Sequence, residues 1–386
     1  MKPNSRSLYT SRTAIAAVAA SLLLGASAGA APLISIGERA AVFFNGSVTA
    51  RYDDNVFLNA NNEESDVLFI FSPGVEFAYG GESIWNFSAY YRHDIYRYTD
   101  ATELNTDAGN LFLNASYAYN RLVADFDASY RRLTQNSFDF ATQDGVVIRR
   151  DVYRIGVDGE YDLTELFNVG AGISYQETNF KDRQFRDVET ITVPVDLYYD
   201  WTERVDLSLG YRFRDNNTYG TGRDSQDHFI NVGARGEVTP RVTGSVRLGY
   251  QERNFKQSGL SSHSGFAAQG QANWDATERT NVSITGFRDL RYSARGQTIE
   301  STGGGPRVTY LFTELVTGTA GLQYEDSNYR DSDRRDKKFT GDLGVNYSPN
   351  EYVDLGAAYI YTNNDSNVAS VDLDRNIFQL TASLRY

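Results

Sequence analysis

The chain has 386 residues, no cysteine and a formal net charge of −13 at pH 7. Without cysteine there is no disulfide framework, no thiolate metal site and no thiol nucleophile, and the acidic balance argues against nucleic acid, whose phosphates need Lys and Arg. Tyrosine (27) and phenylalanine (22) are abundant while proline (7) and methionine (1) are scarce, a composition that leans toward strands.

The first predicted element is a targeting segment. Lys2, Arg6 and Arg12 precede an apolar stretch from Ala14 to Leu24, and Ala28-Gly29-Ala30 supplies a small-residue cleavage pattern. This predicts a secretory signal over residues 1–30 and a mature chain of 356 residues and net charge −16, starting near Ala31. The apolar stretch falls short of the roughly 20 residues a membrane helix needs. No later segment approaches a membrane helix, and mean hydropathy is negative. Barrel strands alternate lipid-facing and lumen-facing residues, so an average hides them.

From residue 44 to the end, apolar and polar residues alternate in run after run. In Val205 to Arg214 the odd positions are apolar and the even ones small or charged; Leu122 to Arg131 and Phe167 to Tyr175 repeat the pattern. Alternation with period two puts one set on each face of a sheet and is useless to a helix. Each run is about ten residues, enough for a tilted strand to cross the hydrocarbon. Short connections such as Thr164-Glu165-Leu166, Thr202-Glu203-Arg204, Thr239-Pro240-Arg241 and Thr277-Glu278-Arg279 take turns with long polar ones such as Asp215 to Asp227 and Ser327 to Lys337. Tight turns on one side and long loops on the other are the layout of an outer-membrane barrel. A propeller would need four short strands per period, and each period here holds two long ones.

The runs number eighteen, with sixteen left open because the first strands are less clear. The predicted fold is therefore all-β, a closed antiparallel transmembrane barrel of 16–18 strands over residues 31–386, wide enough for an aqueous channel. Pro73, Pro194 and Pro306 fall inside predicted strands, and bulges are expected there. Gly303-Gly304-Gly305 weakens its strand. A further bulge is expected where Val282, Ile284 and Phe287 change phase.

Counting eleven residues from the first residue of each short turn reaches Tyr175, Phe213, Tyr250, Arg288, Tyr324 and Tyr359. Aromatics at constant height suggest an interfacial girdle of Tyr175, Phe213, Tyr250, Tyr324 and Tyr359, with Phe287 beside the exception. At the C-terminus Phe378, Leu380, Ala382, Leu384 and Tyr386 alternate with polar residues and the chain stops on the aromatic. This is similar to the closing strand of outer-membrane proteins, so Phe378, Leu380, Leu384 and Tyr386 are expected to be the signal read by the barrel assembly machinery.

The opening stretch Arg51-Tyr52-Asp53-Asp54-Asn55-Val56-Phe57, followed by Ser72-Pro73-Gly74-Val75, resembles the putative β-barrel porin 2 family. The resemblance covers nearly the whole mature chain. It implies an outer-membrane barrel, with several relatives encoded beside exopolysaccharide synthesis genes and suspected of passing polysaccharide across that membrane. No catalytic residues come with it.

Function is expected on the lumen face, which on this phase includes Arg92, Asp94, Asp125, Asp127, Arg131, Asp206, Arg212, Arg214, Arg247, Gln251, Gln323 and Asp354. Mixed signs on facing strands would suit hydrated polar cargo, and inward Tyr90 and Tyr198 could stack on sugar rings. Any wet barrel needs polar inward residues, so no single one is diagnostic. A hydrolase would need a base beside a nucleophile or an acid pair. The three histidines, His93, His228 and His263, form no such group in sequence, and His93 and Asp94 point to opposite faces of a strand. The acidic stretches around Asp331, Asp333 and Asp336 and at Asp365 lack calcium-loop spacing. No enzyme activity, cofactor, metal site or nucleic-acid partner is expected. The leading expectation is export of exopolysaccharide, alongside lipids and lipopolysaccharide of a Gram-negative outer membrane and a periplasmic polysaccharide-export apparatus. The alternatives are a general or sugar-selective diffusion porin and a surface adhesin or receptor.

Overall fold

Between Val205 and Thr218, alternation sends Leu207, Leu209 and Tyr211 to an outward face, where Leu209 is 58 % exposed, and Asp206, Arg212 and Arg214 to the opposite one. The other long strands divide their residues in the same way, with single apolar residues such as Leu68, Ile70 and Ile377 turned inward. Two faces, one apolar and one polar, cannot both be satisfied in an open sheet in lipid, where edge amides have no partner. Closure removes the edge.

The computed structural model describes residues 32–81, 83–135, 148–182, 185–220 and 223–386. The predicted signal, residues 1–30, lies outside the described residues. The strands are β1 (Ile34–Ile36), β2 (Ala40–Asp53), β3 (Asp66–Tyr79), β4 (Trp85–Tyr98), β5 (Thr106–Tyr119), β6 (Leu122–Gln135), β7 (Ile148–Asp162), β8 (Phe167–Phe180), β9 (Val188–Asp200) and β10 (Val205–Thr218). They continue as β11 (Ser225–Thr239), β12 (Val242–Phe255), β13 (His263–Thr277), β14 (Thr280–Tyr292), β15 (Thr298–Thr313), β16 (Val316–Tyr329), β17 (Arg335–Tyr347), β18 (Val353–Ser366) and β19 (Leu373–Arg385). β2 to β19 pair antiparallel in sequence order, and β19 returns to β2 with Gln379 opposite Arg51. The result is a closed 18-strand barrel. Thr49 and Thr381 hydroxyls meet at 2.8 Å across the seam, and the Tyr386 N–H donates to the Phe44 carbonyl at 2.9 Å. Where β19 has run out, β1 takes its place against Ala40–Val42 of β2, covering an edge that would otherwise stand open.

The long strands run for 13–16 residues, not about ten. Alternation marks only the stretch that faces lipid, whereas a backbone ladder can continue as a polar ribbon above it. The connections shrink to match: 219–224 between β10 and β11, and 330–334 between β16 and β17. All three tryptophans lie at the turn end. Trp85 opens β4, Trp201 follows β9 and Trp274 is near the end of β13, each exposed outward, as an interfacial rim would place them.

The expected bulges at the prolines are absent. Pro73 pairs with Gly46, Pro194 with Arg212 and Pro306 with Ile284; toward the other neighbour the ladder breaks briefly and resumes in the same register. Proline lacks one N–H, which would have served one neighbour only, so a local gap suffices. Register shifts occur instead beside tight turns, at Glu237/Thr239, Asp275/Thr277 and Leu311/Thr313. Nor does β14 change phase. Its register with β15 is unbroken, so Arg288 points outward and Phe287 inward. Phe287 fits there because its partner is Gly303, where an added Cβ would come within 3.0 Å of the ring.

The wall parts beside one hairpin, which stays laddered to β16 up to Ile299 and Tyr329. The β13–β14 ladder stops at Ala268 and Arg288, although β14 stays paired with β15 up to Tyr292 and Thr298. Above that point the β14–β15 hairpin bends into the barrel.

Candidate transport lumen

The interior holds a cavity of about 1810 Å3 lined by inward residues of strands around the ring. Two chords of charge narrow it. Near the turn end, Arg235 of β11 donates to both Glu160 carboxylate oxygens of β7, at 2.8 and 2.6 Å, and through Nε to Asp206 at 3.0 Å. Three strands lie between β7 and β11, so the pair spans the curve of the wall. The Arg235 guanidinium lies 3.6 Å from the centre of the Tyr198 ring. Arg247 joins the group by donating to Asp196 at 3.0 Å and to the Tyr198 hydroxyl at 2.9 Å.

Nearer the loops, the inward hairpin is braced against β10, β11 and β12. Asp289 accepts from Arg212 at 3.3 Å and from Arg214 at 2.9 Å. The fully buried Arg253 grips Asp227 with two bonds of 2.7 Å and donates to the Arg291 carbonyl at 3.1 Å. Tyr292 donates to Ser225 Oγ at 2.7 Å. At the tip, Ala294 packs with Ile148 and Phe185, and its carbonyl accepts from the Arg186 N–H at 2.9 Å. Ile148 begins β7, seven strands from β14. The hairpin thus crosses the lumen.

All twelve lumen candidates lie on the inward face, and the structure joins many of them to residues that alternation did not single out. Arg92 pairs with Asp94 at 2.8 Å, and Asp94 also accepts from Asn110 at 2.8 Å. Asp127 pairs with Arg154 at 3.0 Å, with Asp125 beside it on the cavity wall. Asp206, Arg212, Arg214 and Arg247 enter the two chords. Gln251 is buried beside Arg253. Gln323 lines the cavity, and Asp354 sits at the turn end, accepting from Ser348 at 2.5 Å. Arg131 lines the cavity without a carboxylate partner among the described residues. Tyr90 stacks on Phe112 with ring centres 6.2 Å apart. The residues missed were Glu160, Asp196, Arg235, Arg253 and Asp289. An unbroken phase in β14 would have turned Asp289 inward; a contact between strands four places apart, such as β14 with β10 or β11 with β7, leaves no mark on local alternation.

Tyr175, Phe213, Tyr250, Tyr324 and Tyr359 point outward. Tyr175 donates to Glu177 at 3.0 Å and Tyr359 to Asn376 at 2.7 Å. Phe378, Leu380, Leu384 and Tyr386 are exposed on the outer face of the closing region. His93 and His228 also face outward, bonded to Tyr91 at 3.1 Å and Tyr211 at 2.7 Å. His263 faces inward, 3.9 Å from Asp331. The loop acids are engaged by the protein itself: Asp331 by Arg223 and by the Thr298 N–H, and Asp336 by Arg334.

A closed 18-strand barrel with a wet interior is matched by sequence as well. The family model described as putative beta-barrel porin 2 matches residues 42–386. The chain belongs to that family. Among solved structures, this porin is similar to OccAB2 of Acinetobacter baumannii, with 11 % identity, a TM-score of 0.51 and coverage of 90 % of this chain and 98 % of that one. It is also similar to OpdL of Pseudomonas aeruginosa (12 %, 0.50, 90 % and 99 %) and to the FrpB iron transporter of Neisseria meningitidis (9 %, 0.52, 90 % and 82 %). At such identities the likeness is one of fold. No curated protein matches the sequence. The molecule is an outer-membrane β-barrel porin channel of a Gram-negative envelope.

Proposed function

We propose that this porin is a constricted diffusion channel for small, hydrated polar solutes of about sugar size. The observation that carries the reading is the β14–β15 hairpin, laid across the lumen and held by Asp289, Arg212, Arg214 and Arg253. A lumen divided by paired charges and hydroxyls offers water-like contacts to a small solute, and sterics exclude a large one. Transport here needs no catalytic group. The outward residues of β19 serve the assembly machinery, and the outward aromatics meet lipid and lipopolysaccharide headgroups.

A second reading, passage of exopolysaccharide supplied by a periplasmic export apparatus, is favoured by a different observation. Above Ala268 the hairpin is laddered to the wall on its β16 side alone, so β14 has no strand to hold it on the other side when a polymer presses past, and Tyr90 with Phe112 offers a flat apolar surface to sugar rings. Planar-bilayer recording and liposome swelling separate the two. Stable open steps and size-limited sugar flux in the purified protein support the diffusion channel; a closed protein that neither conducts nor passes sugars ends it. A deletion strain that secretes its surface polymer normally ends the export reading.

A further inference from the structure

Most inward arginines of the spanning strands end on a carboxylate: Arg154 on Asp127, Arg235 on Glu160, Arg247 on Asp196, Arg307 on Asp342 and Arg375 on Asp53. Arg51 and Arg131 differ. Both line the cavity, and among the described residues neither has a carboxylate within ion-pair distance. Arg51 donates to Gln379 at 3.3 Å, and its Nε finds no acceptor. The acids around them are engaged elsewhere. Asp53 holds Arg375, Asp94 holds Arg92 and Asn110, and Asp66 accepts from Thr99 and from the Ala101 N–H.

The two arginines also stand at similar height. The stagger of the wall can be read from its register: Phe213 pairs with His228 and His228 with Glu252, whereas Tyr250, two residues lower, is the aromatic equally far from its turn. The same stagger from β2 brings Arg51 level with Tyr96 on β4, and Arg131 on β6 within about 7 Å of that level along its strand. Tyr96 and Tyr98 project into the cavity between them, and neither hydroxyl has a hydrogen-bond partner among the described residues. Two unneutralised guanidinium groups flanking two free phenols inside an acidic chain are not explained by folding, since any stabilising arrangement would have paired them.

We propose that Arg51 and Arg131, with Tyr96 and Tyr98 between them, form a binding station in the outer part of the lumen for a carboxylate-bearing sugar. A guanidinium meets a carboxylate in a two-bond fork. The phenols can exchange hydrogen bonds with ring hydroxyls, and their faces can pack on the ring's C–H surface. Net negative charge over the whole molecule repels an acid from a distance, so a local cationic patch is what would admit one. The proposal rests on the channel reading and names the class of its cargo.

The test is calorimetric titration of the folded protein in detergent with sodium glucuronate and with glucose at equal ionic strength. Wild type should bind glucuronate roughly ten-fold more tightly than glucose, the scale of one charge-assisted bonding pair. Arg51→Gln/Arg131→Gln should lose that preference, while Arg149→Gln, an outward arginine, should keep it. Each single variant should lose part of it, which keeps the test decisive if the double variant does not fold. Equal affinity of wild type for the two sugars, or an undiminished preference in the folded variants, overturns the station. A short oligouronate that binds more tightly than the monomer assigns the station to a chain, and equal binding assigns it to single sugars; either supports it. Conductance is measured separately, so a protein that conducts without discriminating overturns the station and leaves the channel standing.

Discussion

At the scale of single residues, the lumen is organised by arginines whose partners lie far away in sequence. Arg235 holds two carboxylates at once, Glu160 and Asp206, and about four-fifths of its side chain and of Glu160's is hidden from solvent. Replacing it, as in Arg235→Gln, strands Glu160 and Asp206 as unpaired acids facing each other. Breaking a buried pair costs about 3–5 kcal/mol, and in a partly hydrated lumen about 2 kcal/mol is expected. The measurement is the temperature at which the folded band converts to the unfolded one on a semi-native gel, which should fall. That Asp206 points inward was legible from the alternation of its own strand. Arg235 stands directly opposite it on the neighbouring strand, but the link from Arg235 to Glu160 was not legible, because the wall's curvature, not its periodicity, brings β7 to β11.

At the scale of elements, the β14–β15 hairpin decides how wide the pore is. Asp289→Asn removes the charge that Arg212 and Arg214 hold, so the hairpin should loosen. Unitary conductance should then rise by about two-fold, with added flicker. Unchanged, quiet openings would mean that the hairpin is held by other contacts. Its second strand, β15, carries the Gly303-Gly304-Gly305 run. An added Cβ at Gly305 would lie 1.9 Å from the Leu322 carbonyl oxygen. Gly305→Ala should therefore shift the β15–β16 ladder and reduce the yield of heat-modifiable protein. Composition alone reads these glycines as weakness in a strand. They are points of close approach, and one of them seats Phe287. The same oversight made β14 look out of phase: a single apolar residue facing inward mimics a bulge when the glycine opposite is ignored.

At the scale of the whole molecule, the eighteen crossings and the closure of the last strand on the first were legible, because both follow from the need to satisfy every amide in lipid. Strand length was not, since a ladder can outlast the apolar pattern that marks it. The face assignment yields a sharp contrast between adjacent positions. Leu322 is exposed to lipid and Gln323 lines the cavity. Leu322→Arg should cost about 2–4 kcal/mol in denaturant refolding into bilayers if it lies near the midplane. Gln323→Arg should fold normally and shift the reversal potential toward anions. Equal effects would contradict the assigned faces.

The parting of β13 from β14 also says how deep the molecule can sit. His263 to Ala267 lack a strand partner on the β14 side among the described residues, and Arg288 Nε meets the Phe266 carbonyl at 3.2 Å. Bare amides are not tolerated in oil. The hydrocarbon of the outer leaflet therefore has to end below Ala267, at about the row where Leu248 stands opposite Ala268. The barrel carries its own waterline, and a membrane too thick to respect it would have to thin around that side.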